Sequence, residues 1–404
     1  MKQGALHNLK VADFSWSLAG PLITKYLADH GATVVRVESA KRPCPLRLSA
    51  PYKDGLPGLN RSGYYAFFNA NKYSLALDLG NPEAIKVAKR LIAWADVVVE
   101  SFTPGTMERL GLAYEEVRNI KENIIMLRCS AQGQTGPHAQ HPSFGFQLVG
   151  LCGFTHLTGW PELEPQQPWG AYTDLIAPRF GASAILAALI YRRNTGRGQC
   201  IDLSQFEAGL QFLAPILLEY AVNKREAIRV GNSCTYAAPH GVFRCKGDDR
   251  WCAIAVFNDR EWEALCEVIG IPSLARDPRF ATLLSRKDNE PELNRIVEQW
   301  TITLPAEDAA SRLQSAGVSS GVVKNARDVC LDPQLAHYGH FWTLEHKEIG
   351  SLSHLGQPFK LEKTPAEPRT AAPCLGEHTE YVCKQLLGMS EEEFNQLLVS
   401  GVFE

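Results

Sequence analysis

Leu9-Lys10-Val11-Ala12-Asp13-Phe14, then Ala19-Gly20-Pro21, Leu22 to His30, Gly31, and Thr33-Val34-Val35-Arg36-Val37-Glu38 read as strand, loop, helix and strand. Both strands are short and apolar on successive positions, as in strands covered on both faces. Pro21 suits the first turn of the helix and Gly31 its exit. Two parallel strands must be joined by a crossover, so residues 9–38 form a βαβ unit that opens a parallel sheet.

The pattern continues outward. Ser74 to Leu79 reads as a strand, Pro82 to Ala95 as a helix, Asp96-Val97-Val98-Val99-Glu100 as a strand, and Ile124 to Cys129 as another. The fold class expected is α/β, with a Rossmann-like large domain. The stretch Cys200 to Ser204 leads into an apolar helix, Phe206 to Val222, that reads as unbroken and long enough to link domains. From Ala237 the pattern changes to a hairpin, Gly241 to Cys245 and Trp251 to Val256 around Lys246-Gly247-Asp248-Asp249-Arg250, followed by helices near Trp262, Glu292 to Trp300 and Ala306 to Ser315. The organisation expected is a large domain at 1–200, a helical linker at 201–232, a small α+β domain at 233–328, a second linker at 329–350, and a return to the large domain at 351–404.

The chain has 404 residues, an apolar share of 45% and a net charge of -3, so it can build a large core and carries no basic field for nucleic acid or an anionic membrane. Its eleven cysteines are scattered without a Cys-x-x-Cys pair, which fits reduced, mostly buried thiols. The start, Met1-Lys2-Gln3-Gly4-Ala5-Leu6-His7, lacks an apolar signal core, and no later run reads as a spanning helix. The expected location is the cytoplasm, with no membrane and no nucleic-acid partner.

Several motifs bear on chemistry. The loop after the first strand lacks Gly-x-Gly-x-x-Gly, although Glu38 stands where a ribose-binding acid would. His138 and His141 are bracketed by Pro137 and Pro142, which denies them a helical metal-binding face, so no metal site is expected. Val97 to Leu112 reads as strand, Pro104-Gly105 turn and helix, whose free amides suit phosphate oxygens. Arg109 is there either a phosphate partner or a solvated surface arginine. In Trp169-Gly170-Ala171-Tyr172-Thr173-Asp174, the aspartate stands where the chain enters a helix rich in small residues, Gly181, Ala182, Ala184, Ala187 and Ala188. A carboxylate there is either a helix cap or a nucleophile.

Taken together, Asp13-Phe14 with Ala19-Gly20-Pro21, Gly31 to Glu38, Asn69-Ala70-Asn71-Lys72-Tyr73-Ser74, Pro104-Gly105, Asp174, Thr195-Gly196-Arg197-Gly198-Gln199, Ala238-Pro239-His240-Gly241-Val242-Phe243, Gly317-Val318 and Leu375-Gly376-Glu377-His378-Thr379 resemble the class III (CaiB/BaiF-type) CoA-transferases over nearly the whole chain. That resemblance implies a large Rossmann-like domain made from both termini, a small domain between long linkers, and two chains threaded as interlocked rings. It implies Asp174 as the catalytic aspartate. Ser17, Leu18, Ala19, Leu77, Ser101, Phe102 and Arg109 fall at positions that hold coenzyme A in formyl-CoA-transferase-like members, and other members place a base at the Arg36 strand end for the adenosine phosphates. No tightly bound cofactor is implied; coenzyme A and its acyl thioester are substrates.

Two departures narrow the activity. Asn232-Ser233-Cys234-Thr235-Tyr236-Ala237 replaces a glycine-run lid, and Ser143-Phe144-Gly145-Phe146 stands where racemases of the superfamily carry a His-Asp pair. The second argues against α-proton exchange, which needs an acid and a base on opposite faces of the carbon. The run Asn60 to Asn69 looks most like succinyl-CoA-dependent transferases of aromatic degradation that act on (R)-benzylsuccinate and contain two related subunits. Tyr64, Tyr65, Phe67 and Phe68 then line an aromatic acyl pocket, or else are core at a strand entrance. The alternatives kept are an acyl-CoA racemase or isomerase on this fold, and a non-catalytic subunit of a heteromeric transferase; the partner chain is identical or a related subunit.

Overall fold

The computed structural model describes residues 3–404. They form two units, one running to Thr155 and taking in Gln167–Ala227 and Ala336–Glu404, the other made of His156–Gln166 and Ile228–Leu335. The first unit holds β1 (Lys10–Asp13), α1 (Ala19–Asp29), β2 (Thr33–Glu38), α2 (Gly63–Asn69), β3 (Tyr73–Ala76), α3 (Pro82–Trp94), β4 (Val97–Glu100), α4 (Thr106–Arg109), α5 (Tyr114–Ile120), β5 (Ile125–Ser130), α6 (Gly145–Cys152), α7 (Tyr172–Thr195) and β6 (Gln199–Ser204). The six strands pair in the order β3-β2-β1-β4-β5-β6, all parallel.

Alternation along the strands supplies both faces. Ala12, Val35, Leu75, Val98 and Met126 face one core with α3 residues Val87, Leu91 and Ile92, and the same core takes Met107 and Val117 from the segments after β4. Val11, Val34, Val97, Val99, Ile125 and Leu127 face the other, against Ile23 and Leu27 of α1 and Ile185 and Ala188 of α7. Each such Val, Leu, Ile or Met side chain contributes about 1.5–3 kcal/mol on burial. The tail closes the first core with Val382, Cys383, Met389, Phe394 and Val402, and the Asp78 amide donates to the Val402 carbonyl at 3.0 Å.

The structure differs from the sequence expectation at several places. Residues 199–204, largely assigned to a linker, are the sixth strand, added to β5 in parallel register. The helix expected to run unbroken to Val222 is α8 (Gln205–Leu210), a 3-10 turn and α9 (Ala214–Asn223), because Pro215 has no amide to donate and instead sits in a first turn. Residues 341–355, expected as the end of a linker reaching 350 and the start of the returning large domain, are a hairpin of β10 (Phe341–His346) and β11 (Gly350–Leu355) in the first unit. Among the described residues one helix, α7, is long and apolar enough by length and composition to cross a membrane, contrary to the sequence reading; here it packs on α1, α6 and β5.

In the second unit β7 (His240–Arg244), β8 (Trp251–Ala255) and β9 (Ser319–Val322) form an antiparallel sheet in that order. It packs with α10 (Asp259–Val268), α11 (Leu283–Asp288), α12 (Glu290–Thr301) and α13 (Ala306–Ser315) through Phe243, Ile254, Trp262, Leu265, Phe280, Leu293, Val297 and Leu313. Residues 156–166 join this unit: Gly231 donates to the Gly159 carbonyl at 2.9 Å, and its missing side chain makes room for Trp160, whose ring a Cβ would meet at 2.3 Å.

Two glycines between α7 and β6 have different roles. Gly196 closes α7 at a φ of 76°, whereas a Cβ on Gly198 would lie 1.9 Å from the Ile124 carbonyl oxygen. In urea unfolding, Gly196→Ala is expected to cost about 1 kcal/mol. Gly198→Ala should cost clearly more, because backbone must move; equal costs would contradict this packing.

Candidate active site

Parallel sheets bind ligands beyond the carboxyl ends of their strands, at the point where the strand order reverses. Here that point lies between β1 and β4. The chain leaving β1 is held to β4 beyond the last paired residues: the Phe14 amide donates to the Val99 carbonyl at 2.8 Å. Ser101 Oγ accepts from the Trp16 amide at 2.8 Å and donates to the Trp16 carbonyl at 3.0 Å. Gly20 permits this closeness, since a Cβ there would meet Ser15 Cβ at 2.2 Å and Ser101 Oγ at 3.2 Å.

This edge brings together Ser17, Leu18, Ala19, Ser101 and Phe102. Ser17 takes a left-handed backbone, φ 59°, just before α1. Leu18 and Ala19 are buried at the start of that helix. Phe102 packs against Trp16 with centroids 6.0 Å apart, and its amide donates to Glu100 Oε2 at 2.8 Å. Arg109 ends the four-residue α4, exposed, with its guanidinium donating to Thr106 Oγ1 at 2.8 Å.

Two expected residues stand elsewhere. Leu77 is 1% exposed and packs in the core beside α3. Arg36 is wholly buried: its strand pairs Arg36 with Asp13, and its guanidinium lies 3.6 Å from Asp13 Oδ2 and 3.5 Å from Glu38 Oε2. A cation enclosed between two carboxylates inside the sheet does not reach an external phosphate, so this expectation is corrected. The base that does reach this edge is Arg42, exposed, with its guanidinium 5.8 Å from the Trp16 ring centre. The Lys41-Arg42 pair just past the end of β2 was the available signal, and the sequence reading passed over it. Glu38 is likewise engaged, accepting from Arg47 Nε at 3.1 Å, Arg47 Nη2 at 2.8 Å and Tyr65 Oη at 2.5 Å, which leaves it no role on a ribose.

Asp174 lies in the first turn of α7, and its amide donates to the Ala171 carbonyl at 3.0 Å. The residue is half-buried, but its carboxyl is packed beside the start of α6: a Cβ on Gly145 would fall 2.7 Å from Asp174 Oδ2. The first amides of α6, at Gly145 and Phe146, precede that helix's first bond, Leu148 to the Phe144 carbonyl at 3.1 Å, and so are free for an acceptor. Among the described residues no side chain or amide donates to the Asp174 carboxyl, and burial pushes its pKa from the ordinary 3.8 up to about 7. A helix cap accepts amide hydrogen bonds and is stabilised as an anion; this carboxyl is not.

Of the aromatic run, Tyr65 and Phe68 are buried on α2, and Phe67 stacks on His354 at 5.9 Å. They are helical, not at a strand entrance, because Ser62 caps α2 by accepting from the Tyr65 amide at 3.1 Å. Tyr64 is the member left 37% exposed; burial raises the pKa of its phenol, and the charge of Asp174 adds to that.

A sequence model of CoA-transferase family III matches residues 6–379. Over 403 residues the chain is 30% identical to the succinyl-CoA:glutarate CoA-transferase of Homo sapiens, spanning 99% of this chain and 90% of that protein. It is also 30% identical over 397 residues to the succinyl-CoA–D-citramalate CoA-transferase of Chloroflexus aurantiacus, spanning 98% of each. A solved CaiB/BaiF family protein from Brucella suis superposes with a TM-score of 0.87 at 30% identity, covering 96% of this chain and 100% of that one.

The raised Asp174 pKa sets a stability signature. The unfolded carboxyl ionises near 3.8 and the folded one near 7, so between those values the folded state binds more protons and stability falls as pH rises. Asp174→Asn should therefore be about 2 kcal/mol more stable than the parent at pH 8. The gain should shrink through pH 7 and vanish near pH 4. Thermal unfolding across that range checks it, and a variant less stable at pH 8 would show that the charge is satisfied after all.

Proposed function

This chain belongs to CoA-transferase family III and is an enzyme of that class, and from that premise we propose that it carries coenzyme A from succinyl-CoA to a dicarboxylic acid through Asp174. The observation that carries the reading is the Asp174 carboxyl, which burial leaves without a donor while it stands beside the free amides of α6. A poorly solvated carboxylate is a better nucleophile than one in water.

In the first step an Asp174 oxygen attacks the thioester carbonyl and the carbon–sulfur bond breaks, giving a mixed anhydride and the coenzyme A thiolate, a fair leaving group at a thiol pKa of ~8.5. The thiolate then attacks the Asp174 carbonyl of the anhydride, releasing succinate and forming an aspartyl-CoA thioester. The acceptor carboxylate attacks that thioester, regenerating an anhydride and a thiolate. Attack of the thiolate on the acceptor carbonyl yields the new acyl-CoA and frees Asp174. Each addition places negative charge on a carbonyl oxygen, and the amides of Gly145 and Phe146 are the donors proposed to meet it, typically about 3 kcal/mol for one such donor. Phe144 and Gly145 carry no side-chain base, which counts against the racemase reading.

The coenzyme is proposed to lie along the β1–β4 edge, over Ser17 to Ala19, Ser101 and Phe102, with Arg42 and Arg109 facing its phosphates. For the acceptor, the burial of Tyr65 and Phe68 favours a small aliphatic dicarboxylate over benzylsuccinate, since of the four aromatics Tyr64 alone remains substantially exposed. The relatives named above act on glutarate and D-citramalate. Phe212, Ile216, Leu217, Leu218, Tyr220 and Val222 are exposed along 212–222, an apolar stripe that supports assembly with a second chain, as interlocked rings built from this chain or a related one.

Two measurements test these readings. Protein incubated with succinyl-CoA and then hydroxylamine should carry the modification at Asp174 alone, with a yield that climbs as pH passes about 7. Asp174→Ala should lose the label and at least ~10³-fold in kcat; label elsewhere, or a variant that still transfers, would overturn the mechanism. Light scattering on the purified chain should report two chains per particle, and a monomer active on glutarate or citramalate would refute the assembly.

A further inference from the structure

Lys72 is the last residue before β3 and is wholly buried, in a place the transfer chemistry does not use. Its ammonium has three acceptors, one from each of three segments: Asp13 Oδ2 at 3.2 Å at the end of β1, the Pro21 carbonyl at 2.8 Å in the first turn of α1, and Asn69 Oδ1 at 3.0 Å at the end of α2. Asp13 is equally saturated. Its Oδ1 accepts from the Ser15 amide at 3.0 Å and from the Ser15 hydroxyl, and its Oδ2 accepts from Thr24 Oγ1 at 2.6 Å as well as from Lys72.

These contacts bracket residues 14–18. On one side the Asp13–Lys72 pair joins the strand end to the first turns of α1; on the other, Ser101 holds Trp16. Between them Ser17 keeps a left-handed backbone that costs an L-residue about 1 kcal/mol and persists only where its surroundings over-determine it. Stability alone does not account for the pair. A buried ion pair is commonly no more stable than an apolar pair of the same volume. Burial pushes the Lys72 amine down to about 8 despite the attraction of Asp13, so its surroundings disfavour the charge. What a buried ion pair supplies and an apolar pair does not is directional anchoring of named atoms.

We propose that Lys72 and Asp13 are positioning residues for coenzyme A: through the Pro21 carbonyl, Ser15 and Thr24 they set the backbone of residues 15–19 on which the coenzyme is to lie. This rests on the coenzyme site proposed above, and the test separates the two.

The intact enzyme is used throughout, with coenzyme A affinity measured by calorimetry alongside KM for succinyl-CoA, KM for the acceptor, kcat and the thermal midpoint. Lys72→Met, and the neutral pair Asp13→Asn with Lys72→Met, should weaken coenzyme A binding and raise KM for succinyl-CoA tenfold or more. Acceptor KM and kcat should move less than threefold. Lys25→Met disturbs a different buried pair on α1, Lys25 with Asp29 at 2.6 Å, and should lower the thermal midpoint without weakening coenzyme A. Should both Lys72 variants fail to fold, Thr24→Val, which removes one link to Asp13 at constant shape, carries the test with an expected threefold loss of affinity. Folded variants that bind coenzyme A as the parent does overturn the inference. A parent that does not bind coenzyme A overturns the coenzyme site itself, whatever the variants do.

Discussion

Parallel strands cannot be joined by tight turns, so each return in the first unit needs a crossover, and the direction of those crossovers reverses between β1 and β4. The segment after β1 therefore packs on one face, with Ile23 and Leu27 in one core, while the segments after β4 pack on the other, with Met107 and Val117 in the second core. Two neighbouring strands whose continuations part in this way leave a crevice at their carboxyl ends. Each feature of the β1–β4 edge depends on that parting: the bond from Phe14 to Val99, the double link of Trp16 to Ser101, and the glycine at position 20 that lets them meet.

Two aspartates in the same unit show how surroundings choose a role. For Asp13 burial alone would raise the pKa, but Lys72 and Arg36, with hydrogen bonds from Ser15 and Thr24, hold it below the ordinary value. Asp174 has burial and nothing to oppose it, and its pKa moves the other way. One carboxylate is a structural anion whose lone pairs are filled; the other is buried with no donor to fill them. The contrast also explains why a site of this kind costs stability: a carboxyl left without donors destabilises the fold that holds it.

Much of the architecture was legible locally. Continuous apolar runs and Pro and Gly at helix ends specified the βαβ unit and α3, and turn chemistry the hairpin of the second unit, because local pattern and burial agree there. Asp174 was legible as a first-turn acid, and the family motifs picked it out. Other parts were not. Gln199-Cys200-Ile201-Asp202-Leu203-Ser204 is a half-exposed edge strand, so it lacks the continuous apolar signal of the buried ones. The aromatic run on α2 reads the same whether its rings face a core or a substrate, and only Glu38 and Arg47 against Tyr65, and His354 against Phe67, settle two of the four.

By itself, then, the sequence determined the class of fold, the βαβ opening of its sheet and the candidate nucleophile, since those follow from local period, chain stiffness and motif. The tertiary structure alone decided which charges are free. Arg36 looks like a ligand-binding base until its register partner, Asp13, and the neighbouring Glu38 enclose it, while Arg42 gains its place only because Trp16 is brought beneath it. The physical reason is that solvation and Coulomb interaction depend on distance in space, and residues far apart in the chain set that distance.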